Sequence, residues 1–556
     1  MEPHSLERNL KVITIPLMHW RENPFLLTKI LATVGPACNT PETFAEMIKA
    51  GVRVARINFS HGTFDDFKQA LDIVREASEQ TGIAVGILGD LCGPKIRTKE
   101  FAHGGISLNT DDNVRIVADE SLIGYQDEET GTSYISTNYG LMVDEVQPNE
   151  RIFINDGAVR LRVNGKGGEG KSRYLDCQCI VGGLVSNKKG INLPDSEIST
   201  PSVTDWDKEC VKWSVENDLE YLALSFVRTA DDISTLNNLL KEHGCDNNGR
   251  GGLKHLPIIA KIEKPQAIDD LDRICEKANA IMVARGDLGV EMDMATVPVI
   301  QKKIIANAHD WGKPVIVATQ MLQSMINEAT PTRAEVSDVA GAIMEGADAV
   351  MLSGETAVGR YPLEAATVMA RTARVTEKEV SKERRKKRSS PPKRLQQNKR
   401  RTPALAHGVG VIVRDLQAKY VVVWTELGGT AQYMSQNRLC VPIIALSADK
   451  RTLRQMSLFF GVFPMHMDRP KDSLELTAAL DRLFQLYNWA DPGEPVVVCQ
   501  GEPLGTPGIT NTIRIHYVGD VQRMDWHDES EKAAGDNADV AASVAEKILT
   551  EGDKSS

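Results

Sequence analysis

The sequence contains no apolar run approaching the ~18 residues that cross a bilayer as a helix. It has no Cys-x-x-Cys and no Cys/His spacing suited to zinc, and of its nine cysteines only Cys177 and Cys179 lie close together. A disulfide framework and a structural zinc site are therefore not expected. Scattered, odd-numbered cysteines read as reduced thiols, so the expected location is the cytoplasm. The chain also lacks an excess of positive charge. Its formal net charge of -11 argues against a general nucleic-acid binder and leaves room only for a local basic patch. Acidic and polar side chains precede any apolar stretch at the N-terminus, unlike a secretory signal. What the chain has is length: 556 residues, 42% hydrophobic and 25% charged, which predicts two to four globular domains.

The stretch Pro257-Ile258-Ile259-Ala260-Lys261-Ile262-Glu263-Lys264 is too short for an ordinary helix and ends in charge. On a strand, residues i and i+2 point the same way, so Lys261 and Glu263 leave one strand end together. A second apolar run, Ala280-Ile281-Met282-Val283-Ala284, ends in Arg285-Gly286-Asp287. Neighbouring buried strands would bring Glu263 and Asp287 to one hard divalent cation, with Lys261 beside it. Mg²⁺ is commonly held by one or two carboxylates plus substrate oxygens. Such a constellation suits chemistry on a phosphorylated substrate. Taken alone, a Lys and a Glu at a strand end are as readily solvated loop charges.

The rest of the chain bears on that choice. Strand-like runs at 28–35, 52–59, 84–91, 221–226, 255–262, 280–286, 314–320 and 349–354 alternate with amphipathic segments such as 64–80, 233–242, 298–309 and 331–345. The alternation predicts parallel strands with crossover helices, and eight units predict a closed (β/α)₈ TIM barrel. Chemistry in such barrels sits at the C-terminal strand ends. The runs finish with Arg56, Asn58 and Ser60; Asp90; Lys261 and Glu263; Arg285 and Asp287; Thr319 and Gln320; Ser353 and Glu355. Scattered loop charge would not select strand ends so consistently.

About 130 residues separate the third and fourth runs, far more than a βα loop needs. A domain is inserted there, read as a small β-barrel lid over 93–189, with antiparallel strands at 151–156, 159–164 and 174–181 and a glycine-rich turn at 165–170. The barrel takes 25–92 and 190–380. A basic block at 381–401 predicts a self-repelling, solvated linker. An α/β domain follows over 402–521, with strands at 420–425, 441–445 and 495–499. Its turn Thr425-Glu426-Leu427-Gly428-Gly429-Thr430 leads into a helix start capped by Thr430, which would attract phosphate. With a second glycine turn, Gly505 to Gly508, it forms a candidate effector site of Thr425, Gly428, Gly429, Thr430 and Gly508. Residues 1–24 are an N-terminal extension and 522–556 an acidic tail.

Over about residues 25–521 the chain resembles the pyruvate kinases. The resemblance rests on the stretches 28–36, 55–62 (Ala-Arg-Ile-Asn-Phe-Ser-His-Gly), 93–97, 188–194, 259–263, 282–289 (Met-Val-Ala-Arg-Gly-Asp-Leu-Gly), 318–322, 331–335 and 351–356, in that order and spacing. It implies transfer of the phosphoryl group of phosphoenolpyruvate to ADP, giving pyruvate and ATP in the last step of glycolysis. It implies Lys261 and Arg56 on the phosphoryl group, and Glu263 and Asp287 on Mg²⁺. Gly286 and Asp287 would offer N–H groups to the substrate carboxylate, and Arg97 and Lys189 would face the nucleotide phosphates. A proton relay to carbon would run through Thr319 with Ser353 and Glu355. The family also suggests a homotetramer.

Departures from the family pattern carry their own expectations. Many members bind K⁺ through positions matching Asn58, Ser60, Asp90 and the Leu91 carbonyl, with Glu where this chain has Lys95. The Lys95 ammonium is expected to replace that K⁺. Cys92 is atypical, and Asp195 stands where the family often has Gly. Leu427 replaces a Ser common in members activated by fructose bisphosphate, and the second glycine turn resembles members that answer to AMP or sugar monophosphates. Two other readings compete: a lyase or aldolase on the same barrel, against which the nucleotide-facing Arg97 and Lys189 speak, and a scaffold whose basic linker does the work.

Overall fold

The computed structural model describes residues 25–246, 255–386, 392–394 and 401–520. Eight parallel strands close into a barrel: β1 (Lys29–Thr33), β2 (Val52–Asn58), β3 (Gly86–Asp90), β4 (Tyr221–Val227), β5 (Ile258–Ile262), β6 (Ala280–Ala284), β7 (Val315–Ala318) and β8 (Ala349–Leu352). Every expected strand is present, and β1 pairs with both β2 and β8. Several end earlier than expected. After Ala284 a short helix begins at Arg285, and Thr319 and Gln320 turn to φ values of 68° and 55°, out of extended geometry.

The strands are apolar on both faces because both faces are covered. Leu31, Val54, Leu88, Ile259, Met282, Ile316 and Met351 fill the barrel interior. Their neighbours in sequence, among them Ile30, Ile258, Ala260, Ile281, Val317 and Val350, pack against the surrounding helices. Lys261 continues the inward row of Ile259, so it points to the interior at the upper end of β5. Helix starts are sharply specified. Thr63 with Asp66, Thr204 with Asp207, and Thr332 with Glu335 form capping boxes.

The inserted domain has its own apolar core, including Ile116, Ile154, Leu161 and Leu175. Eight of its strands form one curled sheet and two form a separate ribbon. A bridge between Thr98 and Thr137 brings the ends of the sheet together, with Lys99 N–H on the Ser136 carbonyl at 3.0 Å and Asn138 N–H on that of Arg97 at 3.0 Å. The sheet runs past the boundary expected at 189, because Gly190 and Ile191 pair with Arg97 and Ile96. Likewise the strand expected to stop at 164 continues as Val159–Gly167 through the first glycines of the turn.

The expected linker is partly helical. Pro362–Lys386 is one helix, so residues 381–386 extend a barrel helix, with Lys382 paired to Glu379 at 2.7 Å. Lys393 lies 3.2 Å from Asp310, and Arg394 lies 3.1 Å from Asp272 and 4.9 Å from the Trp311 ring. The rest of the linker, the N-terminal extension and the acidic tail lie outside the described residues.

The C-terminal domain is a five-stranded sheet in the order β11 (Val462–His466), β10 (Ile443–Ser447), β9 (Tyr420–Trp424), β12 (Pro495–Gln500), β13 (Thr512–Tyr517), with β13 alone antiparallel. It forms the floor of the barrel. Leu458 joins the interior cluster, the Gly86 N–H donates to Ser457 Oγ at 3.0 Å, and buried Glu220 is shared by Arg75 (2.9 Å) and Arg454 (2.6 Å). The start of β1 is held there too. The Phe25 ring lies 4.4 Å from that of Phe463, the Leu27 carbonyl accepts the Gly461 N–H at 2.8 Å, and Lys29 Nζ reaches the Val462 carbonyl at 2.7 Å.

Candidate active site

Register sets the rim. Asn58 is level with Asp90, Ile262 with Val283, and Ala284 with Ala318. The residues just beyond these levels therefore share one mouth, where the polar strand ends gather.

Lys261 is the hub. Its ammonium lies 3.0 Å from Glu263 Oε1 and 3.3 Å from Asp90 Oδ1, and it donates to Ser225 Oγ at 2.7 Å. Burial alone would drive off its proton, but Asp90 and Glu263 outweigh burial and hold its pKa above the usual lysine value. Arg56 completes the group, with Nε on Asp90 Oδ2 at 2.7 Å and Nη1 on Thr33 Oγ1 at 3.1 Å. Burial works against the Asp90 charge as well, yet Lys261 and Arg56 keep its carboxyl below the ordinary range.

Glu263 is under the opposite strain. Burial pushes its carboxyl up to about 7, with Lys261 opposing and the nearby Asp287 reinforcing the rise. Its Oε2 accepts the Phe226 N–H at 2.6 Å, while Oε1 is buried without an aligned hydrogen bond. Two carboxylates that repel each other, one with an unsatisfied oxygen, fit a hard divalent cation. Among the described residues no three His, Cys, Asp or Glu converge on a metal position. Two protein carboxylates plus substrate oxygens are thus the donor set on offer.

Thr319 sits beside this pair. Its hydroxyl accepts the Gly286 N–H at 2.7 Å and donates to the Ala318 carbonyl at 2.6 Å. The helix Arg285–Glu291 starts where a carboxylate site was expected, and its Gly286 N–H is given to Thr319. Arg285 grips the Thr319 carbonyl at 2.8 Å and Asp338 at 2.6 Å, holding the left-handed turn in place.

Glu355, expected in a proton relay with Thr319 and Ser353, is bound to the backbone. It is fully buried, and its oxygens accept the N–H groups of Leu322 (3.1 Å) and Ser353 (2.7 Å). It ties the loops after β7 and β8. Ser353 Oγ is buried without a hydrogen-bond partner.

The expected K⁺ donors are engaged within the protein. Asp90 is held by two cations, the Leu91 carbonyl accepts Ser225 Oγ at 2.7 Å, and Asn58 Oδ1 accepts the Ser60 N–H at 3.2 Å. Positive charge surrounds His61. Burial, Arg97, Lys95 and Arg56 together lower its pKa, which gathers Lys95 and Arg97 on the same side of the mouth as Arg56.

Arg97 and Lys189 meet at the root of the lid. The Lys189 N–H donates to Thr98 Oγ1 at 2.9 Å, and Arg97 Nη1 reaches the Lys188 carbonyl at 3.1 Å. Asp207 holds the strand-to-lid exit by accepting the N–H groups of Cys92 and Gly93. Asp195, where the family often has Gly, makes a two-pronged ion pair with Arg151, the shorter contact 2.6 Å.

In the C-terminal domain the two glycine turns adjoin, since Thr430 Oγ1 lies 2.7 Å from Thr510 Oγ1. Thr430 is not the helix cap. The helix is Gly429–Gln436, and Gly428, at φ 76°, takes the cap position with no side chain needed. Thr425 is buried beneath, its N–H on the Leu446 carbonyl, and Gly508 is likewise left-handed at φ 76°.

Sequence reasoning missed two contributors. Ser225 lies near the end of β4, and the strand-end reading applied to β2, β3, β5, β6, β7 and β8 would have found it there. Thr33 ends β1 and orients Arg56; it was visible by the same rule.

A closed (β/α)₈ barrel with a lysine, an arginine and three carboxylates at its C-terminal mouth, under a lid bearing two cations, defines a phosphotransferase. Two family models match the chain: pyruvate kinase, barrel domain, over residues 26–366, and pyruvate kinase, alpha/beta domain, over 403–516. Pyruvate kinase 2 of Synechocystis sp. is 37% identical over 496 residues, covering 88% of this chain and 79% of that one. The pyruvate kinase of Mycobacterium intracellulare is 37% identical over 492 residues, covering 88% and 98%. The crystal structure of a pyruvate kinase from Cryptosporidium parvum superimposes with a TM-score of 0.78 at 31% identity, covering 88% and 96%. The chain belongs to the pyruvate kinase family, phosphotransferases that move the phosphoryl group of phosphoenolpyruvate to ADP.

Proposed function

We propose that Lys261 and Arg56 bind and neutralise the phosphoryl group in transit, and that Glu263 and Asp287 hold Mg²⁺. The observation that carries this reading is the meeting of Lys261, Asp90, Glu263 and Arg56 at one buried mouth. Phosphoryl transfer is mostly positioning and charge neutralisation, so fixed cations do the essential work. Lys261 keeps its proton because Asp90 and Glu263 flank it. Arg56, forked onto Asp90 and Thr33, presents its outer edge in a set orientation. Bound Mg²⁺ would supply Lewis-acid polarisation of the phosphoryl and enolate oxygens. Thr319, rigid on its left-handed turn, positions proton delivery to the enolate carbon. Lid closure would bring Arg97 and Lys189 onto the ADP phosphates and exclude water.

Lys95 stands in for K⁺ on this reading. The adjoining turns at Gly428, Gly429, Thr430 and Gly508 take an AMP or sugar-phosphate effector on the helix N-terminus. A cytoplasmic homotetramer accords with the exposed Met294, Val299 and Val358 on the barrel flank and with Ile515 and Tyr517 on the edge strand β13. The test is pyruvate and ATP formation from phosphoenolpyruvate with and without ADP and Mg²⁺. Product that requires both is the expected result; pyruvate released without ADP would overturn the assignment.

A further inference from the structure

The floor of the barrel carries a charge arrangement that the reaction does not use. Arg384, near the end of helix Pro362–Lys386, places its guanidinium 5.9 Å from the centre of the Phe460 ring. Arg438, from the C-terminal domain, places its own 4.1 Å from the same ring. Both line a cleft with Glu377, Ser381 and Cys440.

The carboxylates in this region are already taken. Arg438 is matched by Asp348, and Glu377 gives both oxygens to the N–H groups of Leu27 and Thr28. Arg384 has no carboxylate partner among the described residues, and Arg438 Nε is buried without an acceptor. Lys29 is buried nearby, where burial and Arg53 hold its pKa well below the usual lysine value, with Glu377 opposing. Arg384 and Arg438 thus share a region whose two carboxylates, Glu377 and Asp348, are already engaged. Burial and the neighbouring Arg438 pull the Arg384 guanidinium down to about 10, as for a cation lacking its counter-ion.

Guanidiniums present planar forks of N–H donors that match phosphate oxygens, and an aromatic face beneath them holds them flat. We propose that the cleft between Arg384 and Arg438 binds a small phosphate-class oxyanion, either inorganic phosphate or the phosphoryl group of a monoester. The site is distinct from the catalytic mouth at the other end of the barrel and from the Gly428–Thr430 turn. One guanidinium comes from the barrel and one from the C-terminal domain, so the bound anion ties the two together.

Cys440 lines the cleft and is partly exposed, which gives a readout confined to this site. The full-length protein is treated with iodoacetamide at constant ionic strength while inorganic phosphate replaces chloride, and modification of Cys440 is followed by peptide mass spectrometry. The expected result is saturable protection of Cys440. Arg384→Met raises the phosphate concentration needed by about tenfold, the loss of one charge-assisted forked contact, while turnover with phosphoenolpyruvate and ADP stays unchanged. Repeating the titration with glycerol phosphate separates the sources: tighter protection marks a monoester site, weaker protection a site for the free ion. Absence of protection in the unaltered protein, or equal protection in Arg384→Met, would overturn the proposal, and the first of these outcomes does not depend on the variant folding.

Discussion

Ser225 stands between Lys261 and the neighbouring strand: it accepts from the ammonium at 2.7 Å and donates its own hydroxyl to the Leu91 carbonyl at 2.7 Å. With Asp90 at 3.3 Å and Glu263 at 3.0 Å as flanking charges, it fixes the position of the Lys261 ammonium. Lys261→Met is expected to lose about 10²–10³ in kcat, the cost of one preorganised charge-stabilising donor, with phosphoenolpyruvate binding retained in calorimetry. Ser225→Ala removes only the positioning contact and is expected to cost about 1 kcal/mol, roughly fivefold in kcat with little change in KM. Near-normal turnover in Lys261→Met would remove its assigned role.

Lys95 shares the field around His61 with Arg56 and Arg97. Turnover is expected without K⁺, and adding K⁺ should change it little. Lys95→Glu should lose activity in K⁺-free buffer and regain it when K⁺ is supplied. A strict K⁺ requirement in the unaltered enzyme would show that the ammonium does not serve in its place.

Thr319 holds its hydroxyl between the Gly286 N–H and the Ala318 carbonyl on a turn at φ 68°. Thr319→Ala is expected to lose about 10²-fold or more in kcat, as positioned proton transfer typically contributes, whereas Thr319→Ser keeps most of it. Gly286→Ala probes the same contact from the other side, because its Cβ would sit 3.3 Å from Thr319 Oγ1. The expected signature is reduced kcat at unchanged thermal stability; a Thr319→Ala enzyme as fast as Thr319→Ser would exclude the hydroxyl from the chemistry.

Asp348 anchors the floor. Burial opposes its charge, but Arg438 and His309 hold its carboxyl below the usual value. A carboxylate with a depressed folded pKa contributes stability above its unfolded value, and that contribution fades as the pH falls below about 4, through the folded value. Asp348→Asn is expected to lower stability near neutrality by about 3–5 kcal/mol, the range for a broken buried ion pair. In urea titrations the gap to the parent should narrow steadily in acid. A gap that stays constant down to the lowest pH tolerated would mean that the ion pair contributes nothing.

The barrel was legible because its strands are short apolar runs ending in charge, and the rim residues were legible for the same reason. The places where reading failed have local causes. Strand β11 contains Pro464, which speaks against a strand unless, as here, it lies at a sheet edge. The charge run at 381–386 reads as repulsive, yet it continues a helix already nucleated and packed upstream. At Glu355 and Gly286, sequence shows that a group is polar, not that a backbone amide or a hydroxyl thirty-odd positions away is bonded to it.

The opening segment of the barrel, Phe25 to Lys29, rests on Gly461, Val462 and Phe463 of the last domain. On a chain emerging from the ribosome, these partners appear more than four hundred residues later. The start of the first strand therefore gains these contacts only after residues 461–463 have been made.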